Sequence, residues 1–279
     1  MPRKDSPGKI DSGSTGQNVL TDVSAQFWAS NDYWEFAERV QEAAKHGDGA
    51  SQYYLGLALN TCDFLYGYYF REQRSGTRPR IRTLDEAQQL TATRQGSAYT
   101  PDDVRDIQSR CQRIMNTTPP PFGIASEWMA AAADSGYPLA LANKAMSKVL
   151  QAHNDPAPEK ASAARSEARA LVVEALQSRD AEVILTLASP VAFLAGDEPG
   201  NALKRHWTWV MAATLREPND ASLAEWKKQH CAVAGPCHPD DTMLDVIHRV
   251  MGNDFAEIER GARELNEKID AGTIDESDF

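Results

Sequence analysis

Nowhere does the sequence contain the roughly 18 to 20 consecutive apolar residues of a membrane-crossing helix, so no spanning segment is expected within it. Positive charge is also short. Lys and Arg number 29 against 40 Asp and Glu, a net charge of −11, which repels phosphate backbones and argues against nucleic acid as the main partner. Catalytic signatures are missing: there is no G-x-S-x-G, no H-E-x-x-H, no G-x-x-x-x-G-K-[ST], and no G-x-G-x-x-G after a strand. No cofactor is expected. The opening stretch, MPRKDSPGKIDSGSTGQ, has no apolar core of the kind a signal peptide carries. Its Ser, Gly and charge predict a disordered leader over residues 1–20, with an export signal or lipid anchor upstream left open.

Cysteine is scarce but informative. There are four, Cys62, Cys111, Cys231 and Cys237, and four cysteines allow three connectivities. Cys231 and Cys237 flank the turn-like AVAGP, so oxidation of both predicts that they pair, leaving Cys62 with Cys111. That second bridge would close a loop of about 50 residues, worth about 4 kcal/mol in the chain-entropy picture. Two disulfides imply an extracytoplasmic, periplasmic location; four reduced thiols, two of them buried as small hydrophobes, imply a cytoplasmic one. His230 and His238 adjoin the second pair, and HCAVAGPCH could be read as a zinc site. Structural zinc rarely takes adjacent residues on both arms, so the disulfide loop is the simpler reading and no metal is expected.

What is abundant is helix. At 42% hydrophobic and 25% charged residues the chain suits a globular class. Strand signals are few, whereas Asp32–Glu35, Thr83–Glu86 and Asp254–Glu257 match the capping box. Pro101 and Pro239 each stand at a candidate first helical position with two acids behind, favoured by fixed φ and the helix dipole. Trp34, Ala37, Val40 and Ala44 share one helical face, as do Ala145, Val149 and Ala152. The expectation is an all-α protein of ten to twelve helices, with breaks at 74–83, 116–123, 153–160, 195–201 and 216–220.

One local pattern recurs. AAKHGDGASQYYLG, residues 43–56, reads as two helices folded back at Gly47. Around Gly136, Ala132 and Ala133 take the places of Ala43 and Ala44, Ala140 that of Ser51, and Ala145 that of Gly56. Around Arg179, Ala175, Asp180, Leu187 and Ala188 align with Ala43, Asp48, Leu55 and Gly56. Glycine with positive φ ends the first helix of such a hairpin. Small side chains at the positions of Ser51 and Gly56 hold the second helix against the first, and bulky Tyr53 and Leu55 fill the space between hairpins. A hairpin alone leaves its apolar face bare, so copies stack.

This pattern of alanine pair, Gly47-Asp48, small residue, Gln52-Tyr53 and Leu55-Gly56 resembles the Sel-one-like repeat family, a relative of the tetratricopeptide repeat, over about half the chain. The third copy departs from it in carrying Arg179 at the turn. A fourth copy at 209–226 shares only the Trp and alanine pair. The resemblance implies a right-handed α-α superhelix, a solenoid of hairpins that presents a groove to another protein and has no chemistry of its own. WKKQHCAVAGPC is similar to the Trp-then-paired-Cys ending of exported repeat proteins of Gram-negative bacteria.

The expected organisation is the leader, a repeat region over 21–152 with an Arg-rich insertion, a degenerate repeat region over 153–270, and a frayed acidic tail over 271–279. Residues 62–82 join aromatics to arginines. Tyr66, Tyr68, Tyr69, Arg71 and Arg74 form a candidate partner-docking surface, since Tyr and Arg dominate binding hot spots. The expected function is a non-enzymatic binding scaffold of the bacterial envelope, an adaptor or a toxin-neutralising inhibitor, with a basic protein as partner. A hydrolytic or thiol enzyme on a helical-repeat scaffold, or a cytosolic scaffold, is the alternative.

Overall fold

The computed structural model describes residues 23–65, 101–117, 121–194, 199–218, 221–231 and 241–279. The leader, the arginine loop with Tyr66, Tyr68, Tyr69, Arg71 and Arg74, and the turn bearing Cys237 lie outside the described residues. Among the described residues there is no strand. Twelve α-helices follow one another among the described residues: α1 (23–28), α2 (Tyr33–Lys45), α3 (Gly49–Leu65), α4 (Pro101–Met115), α5 (Ala125–Asp134), α6 (Pro138–Asn154), α7 (Pro158–Leu176), α8 (Ala181–Leu194), α9 (Pro199–Arg216), α10 (Ala221–Cys231), α11 (Met243–Met251) and α12 (Phe255–Ala271).

Helix α2 shows why the local sequence folds as it does. The Asp32 side chain accepts from the Trp34 N–H at 2.8 Å, satisfying one orphan donor of the first turn. Glu35 and Lys45 oppose the two ends of the dipole. Tyr33, Phe36, Ala37, Val40 and Ala44 are buried. Trp34 sits on the flank instead, donating to Glu38 at 2.7 Å and meeting Phe122 edge-on at 4.9 Å.

The three turns recur as one geometry. Gly47 and Gly136 take φ of +89° and +78°, and Arg179 takes +58° without being glycine. Each N–H bonds back to the carbonyl three residues earlier, Ala44, Ala133 and Leu176, at 3.0 to 3.1 Å. After the first two, the next N–H reaches the carbonyl five back: Asp48 to Ala43 and Tyr137 to Ala132. That is the Schellman closure. Arg216 Nη1 donates to the Arg179 carbonyl at 3.4 Å while its other nitrogens bind Asn266 and Asp270. The third turn therefore gains from α9 a tether in place of the glycine.

The resulting hairpins, α2/α3, α5/α6 and α7/α8, pack in sequence: α3 lies on α5, α6 on α7 and α8, α8 on α9, and α9 on α12. Gly56 sits mid-helix in α3, away from any turn. A Cβ there would meet Met129 Cγ at 2.7 Å and the Ala125 carbonyl at 3.0 Å, so its smallness serves the contact with the next hairpin's α5, not with its own partner α2. Tyr53 fills the space between hairpins as its position predicts, its hydroxyl accepting from Asn143 at 2.9 Å. Gln52 ties the turn from inside, donating to the Ala44 carbonyl at 3.0 Å. One cluster of buried apolar residues runs from Val23 to Ile269 and includes residues on both sides of position 152, while Ala152, Ala161 and Ala164 form a small cluster of their own.

Other expectations need correction. Asp254 has helical dihedrals and makes no cap bond; it pairs with Lys204 at 3.1 Å instead. The helix expected from Pro239 begins at Met243, where Thr242 and Asp245 form a reciprocal capping box. In region 209–226, α9 packs mainly on α8 and α12, while Trp226 of α10 stands edge-on to Trp207 of α9 with ring centroids 5.5 Å apart. The break at 153–160 shrinks to three residues between α6 and α7. The acidic tail is not frayed. Gly272 reverses the chain at φ +66°, and residues 273–279 fold back with Ile274 and Phe279 packed on the core.

Candidate functional site

The predicted site residues fall in separate places. Cys62 and Cys111 are both buried and bonded, with sulfurs 2.06 Å and Cα atoms 5.3 Å apart, fastening α4 to α3. Cys231 ends α10, and its predicted partner lies outside the described residues. Gly47 and Gly136 make turns. Cys62, Cys111, Gly47 and Gly136 line neither of the two cavities described below.

A pocket lies where the second and third turns meet α1. It measures about 310 Å³, with walls from Ser24 and Trp28 of α1, Tyr54 of α3, Tyr137 and Leu139 at the second turn, and Asp180 and Glu182 at the third, with Glu217 after α9. The hairpins build it by register. Tyr137 and Asp180 each directly follow the left-handed turn residue, and Leu139 and Glu182 stand two places further on. Close approach of the turns needs Gly49, where a Cβ would fall 2.6 Å from Ser135 Oγ.

Glu182 organises the floor. Its Oε2 accepts from Tyr54 at 2.8 Å and from Ser24 at 3.3 Å, joining three elements that lie up to 158 residues apart. Its backbone N–H donates to Asp180 Oδ1 at 2.8 Å, which fixes the start of α8. Behind it, the rings of Tyr53 and Tyr54 stand edge-on at 5.1 Å, and Tyr137 lies 5.4 Å from Tyr53. Burial first, and the Glu182 carboxylate second, push the phenols of Tyr53, Tyr54 and Tyr137 far above the ordinary range, so all three stay neutral hydroxyls. The Trp28 indole N–H is buried and has no acceptor among the described residues.

Three carboxylates and three aromatic rings thus face one space, and no Lys, Arg or His stands among the described residues that line it. Such walls suit a cation, through charge and through the ring faces. Among the described residues no three His, Cys, Asp or Glu are placed to share a metal ion. The volume and the aromatic lining fit an organic cation, an ammonium or a guanidinium.

Sequence reasoning had Asp180 only as a turn residue and missed Trp28, Tyr54, Tyr137, Glu182 and Glu217. The repeat register carried part of the signal, because it sets Tyr137, Asp180 and Glu182 along one edge. No protein-family model matches the chain, and no similar protein was found among curated sequences or solved structures.

Proposed function

We propose that this chain is a protein-binding scaffold whose hairpins stack as a superhelix of the Sel-one-like kind, and that the pocket at its turns seats a lysine or arginine side chain of a basic partner. The observation that carries the reading is the convergence of Asp180, Glu182 and Glu217 with Trp28, Tyr54 and Tyr137 at the meeting of consecutive hairpins. A net charge of −11 adds long-range attraction for a basic surface. The Cys62–Cys111 bond favours an oxidising compartment such as the bacterial periplasm. Within that setting the protein acts without chemistry of its own, as an adaptor or as an inhibitor of a basic secreted enzyme.

The test is capture of partners from the native host, followed by titration of a purified partner against the wild type and Glu182→Gln. The reading expects affinity that weakens with salt and falls at least about tenfold in the variant, the scale of one charge-assisted contact. Binding indifferent to both salt and Glu182 would refute it.

A further inference from the structure

A second groove runs between α9 and α12. Its sides carry Lys204, Arg205 and Trp209 from α9 and Glu257, Glu264 and Lys268 from α12, and Ile274, Asp278 and Phe279 of the segment 273–279 reach into it. Lys204 is already paired with Glu257 at 3.1 Å. Lys268 Nζ meets Asp278 Oδ1 at 2.6 Å, and Arg205 Nη1 donates to the Asp278 carbonyl at 3.4 Å. Phe279 stands against Trp209 with ring centroids 5.9 Å apart. The segment holds its own shape through the Asp275 N–H, which donates to Asp278 Oδ2 at 3.0 Å. Lys268 thus reads an acid and the Trp209 indole the aromatic ring after it, while Arg205 holds the backbone between them.

Two features bear on how the segment docks. An open groove of about 460 Å³ remains beside it, lined by Lys204, Thr208, Leu265 and its own Asp278 and Phe279. The segment's polar anchor is an ion pair whose Lys268 side chain is 52% exposed, and pairs that open to water hold weakly. The tether at Gly272 adds a high effective concentration to the contacts that Ile274 and Phe279 make with the core and residues 276–278 with α7.

We propose that the α9–α12 groove is a binding site for an acidic peptide segment carrying an aromatic residue directly after its anchoring aspartate, and that residues 273–279 are its occupant in cis. A segment from another protein with the same pair, and one more side chain for the vacant space, would displace them. This site stands independently of the acidic–aromatic pocket, which takes the opposite charge.

The experiment uses the chain ended after Gly272 and a fluorescent peptide of residues 272–279. Anisotropy should show saturable binding to the shortened chain and binding at least about tenfold weaker to the full chain, where the tether competes. Lys268→Glu in the shortened chain, or Asp278→Asn with Phe279→Ala in the peptide, should remove it. If the shortened chain fails to fold by circular dichroism, full-length protein carrying Asp278→Lys and Phe279→Ala replaces it, with its anchors released and the chain intact. Equal binding by tethered and released forms, no binding by a folded released form, or binding that survives Lys268→Glu would overturn the proposal.

Discussion

At the scale of single residues, glycines that look alike in the sequence do different work. Gly47 and Gly136 are needed for backbone conformation alone, since a Cβ at either would meet nothing within 4 Å. Gly56 is needed for space. Substitution by Asn separates the two, because Asn tolerates the left-handed region and still carries a Cβ. Gly47→Asn should cost less than about 1 kcal/mol in urea unfolding, whereas Gly56→Asn should cost about 1–3 kcal/mol through overpacking against α5. Arg179→Gly should stabilise by up to about 1 kcal/mol by relieving a left-handed non-glycine residue; a loss of stability there would show that the Arg179 side chain holds the turn. The buried tyrosines make a pH prediction. Their folded pKa values lie above the unfolded value of 10.0, so their contribution is complete below that pH and declines as pH rises beyond it. Alkaline titration should show Tyr53, Tyr54 and Tyr137 ionising only together with loss of helical circular dichroism. Their ionisation in the folded protein would contradict the buried cluster.

Helices and turns were the most legible scale. The alanine pair and glycine of each hairpin are local, so the sequence alone places Gly47 and Gly136 at corners, and register places the third corner despite Arg179. Helix starts were harder to read: Asp254 matches a capping pattern yet spends its carboxylate on Lys204, a partner 50 residues away that no local rule can see. The tail misled for a related reason. Its acids predict solvation, but Ile274 and Phe279 supply apolar anchors and Lys268 neutralises Asp278. Helix α4 is held by covalent chemistry, with its Cys111 bonded to Cys62 of α3 across 49 residues. Reduction, or Cys111→Ala, should lower stability by about 4 kcal/mol, and non-reducing denaturing thiol titration should leave Cys62 and Cys111 unreactive. A wild-type protein that titrates four thiols and unfolds identically with or without reductant would contradict this.

For the whole molecule, the candidate site is what sequence could not assemble. Ser24 and Glu182 meet only because α1 lies against the corners of later hairpins, and periodicity says nothing about which corner an N-terminal helix covers. The helical class, by contrast, follows from spacing and breaks, and the packed neighbouring helices share one buried apolar cluster from Val23 to Ile269. No helix among the described residues is long and apolar enough to cross a membrane. Function on this view belongs to two surfaces: carboxylates and rings at the corners, Lys268 and an indole between α9 and α12.

The pocket offers its own reporter, the Trp28 indole N–H on its wall. The most direct measurement is an NMR titration of the full chain with a lysine- and arginine-rich peptide, following the indole signals of the wild type and of Glu182→Gln. The account predicts a saturable shift of the Trp28 indole that disappears in the variant. Shifts spread over the acidic surface with Trp28 unmoved, or a Trp28 shift unaffected by Glu182→Gln, would contradict it.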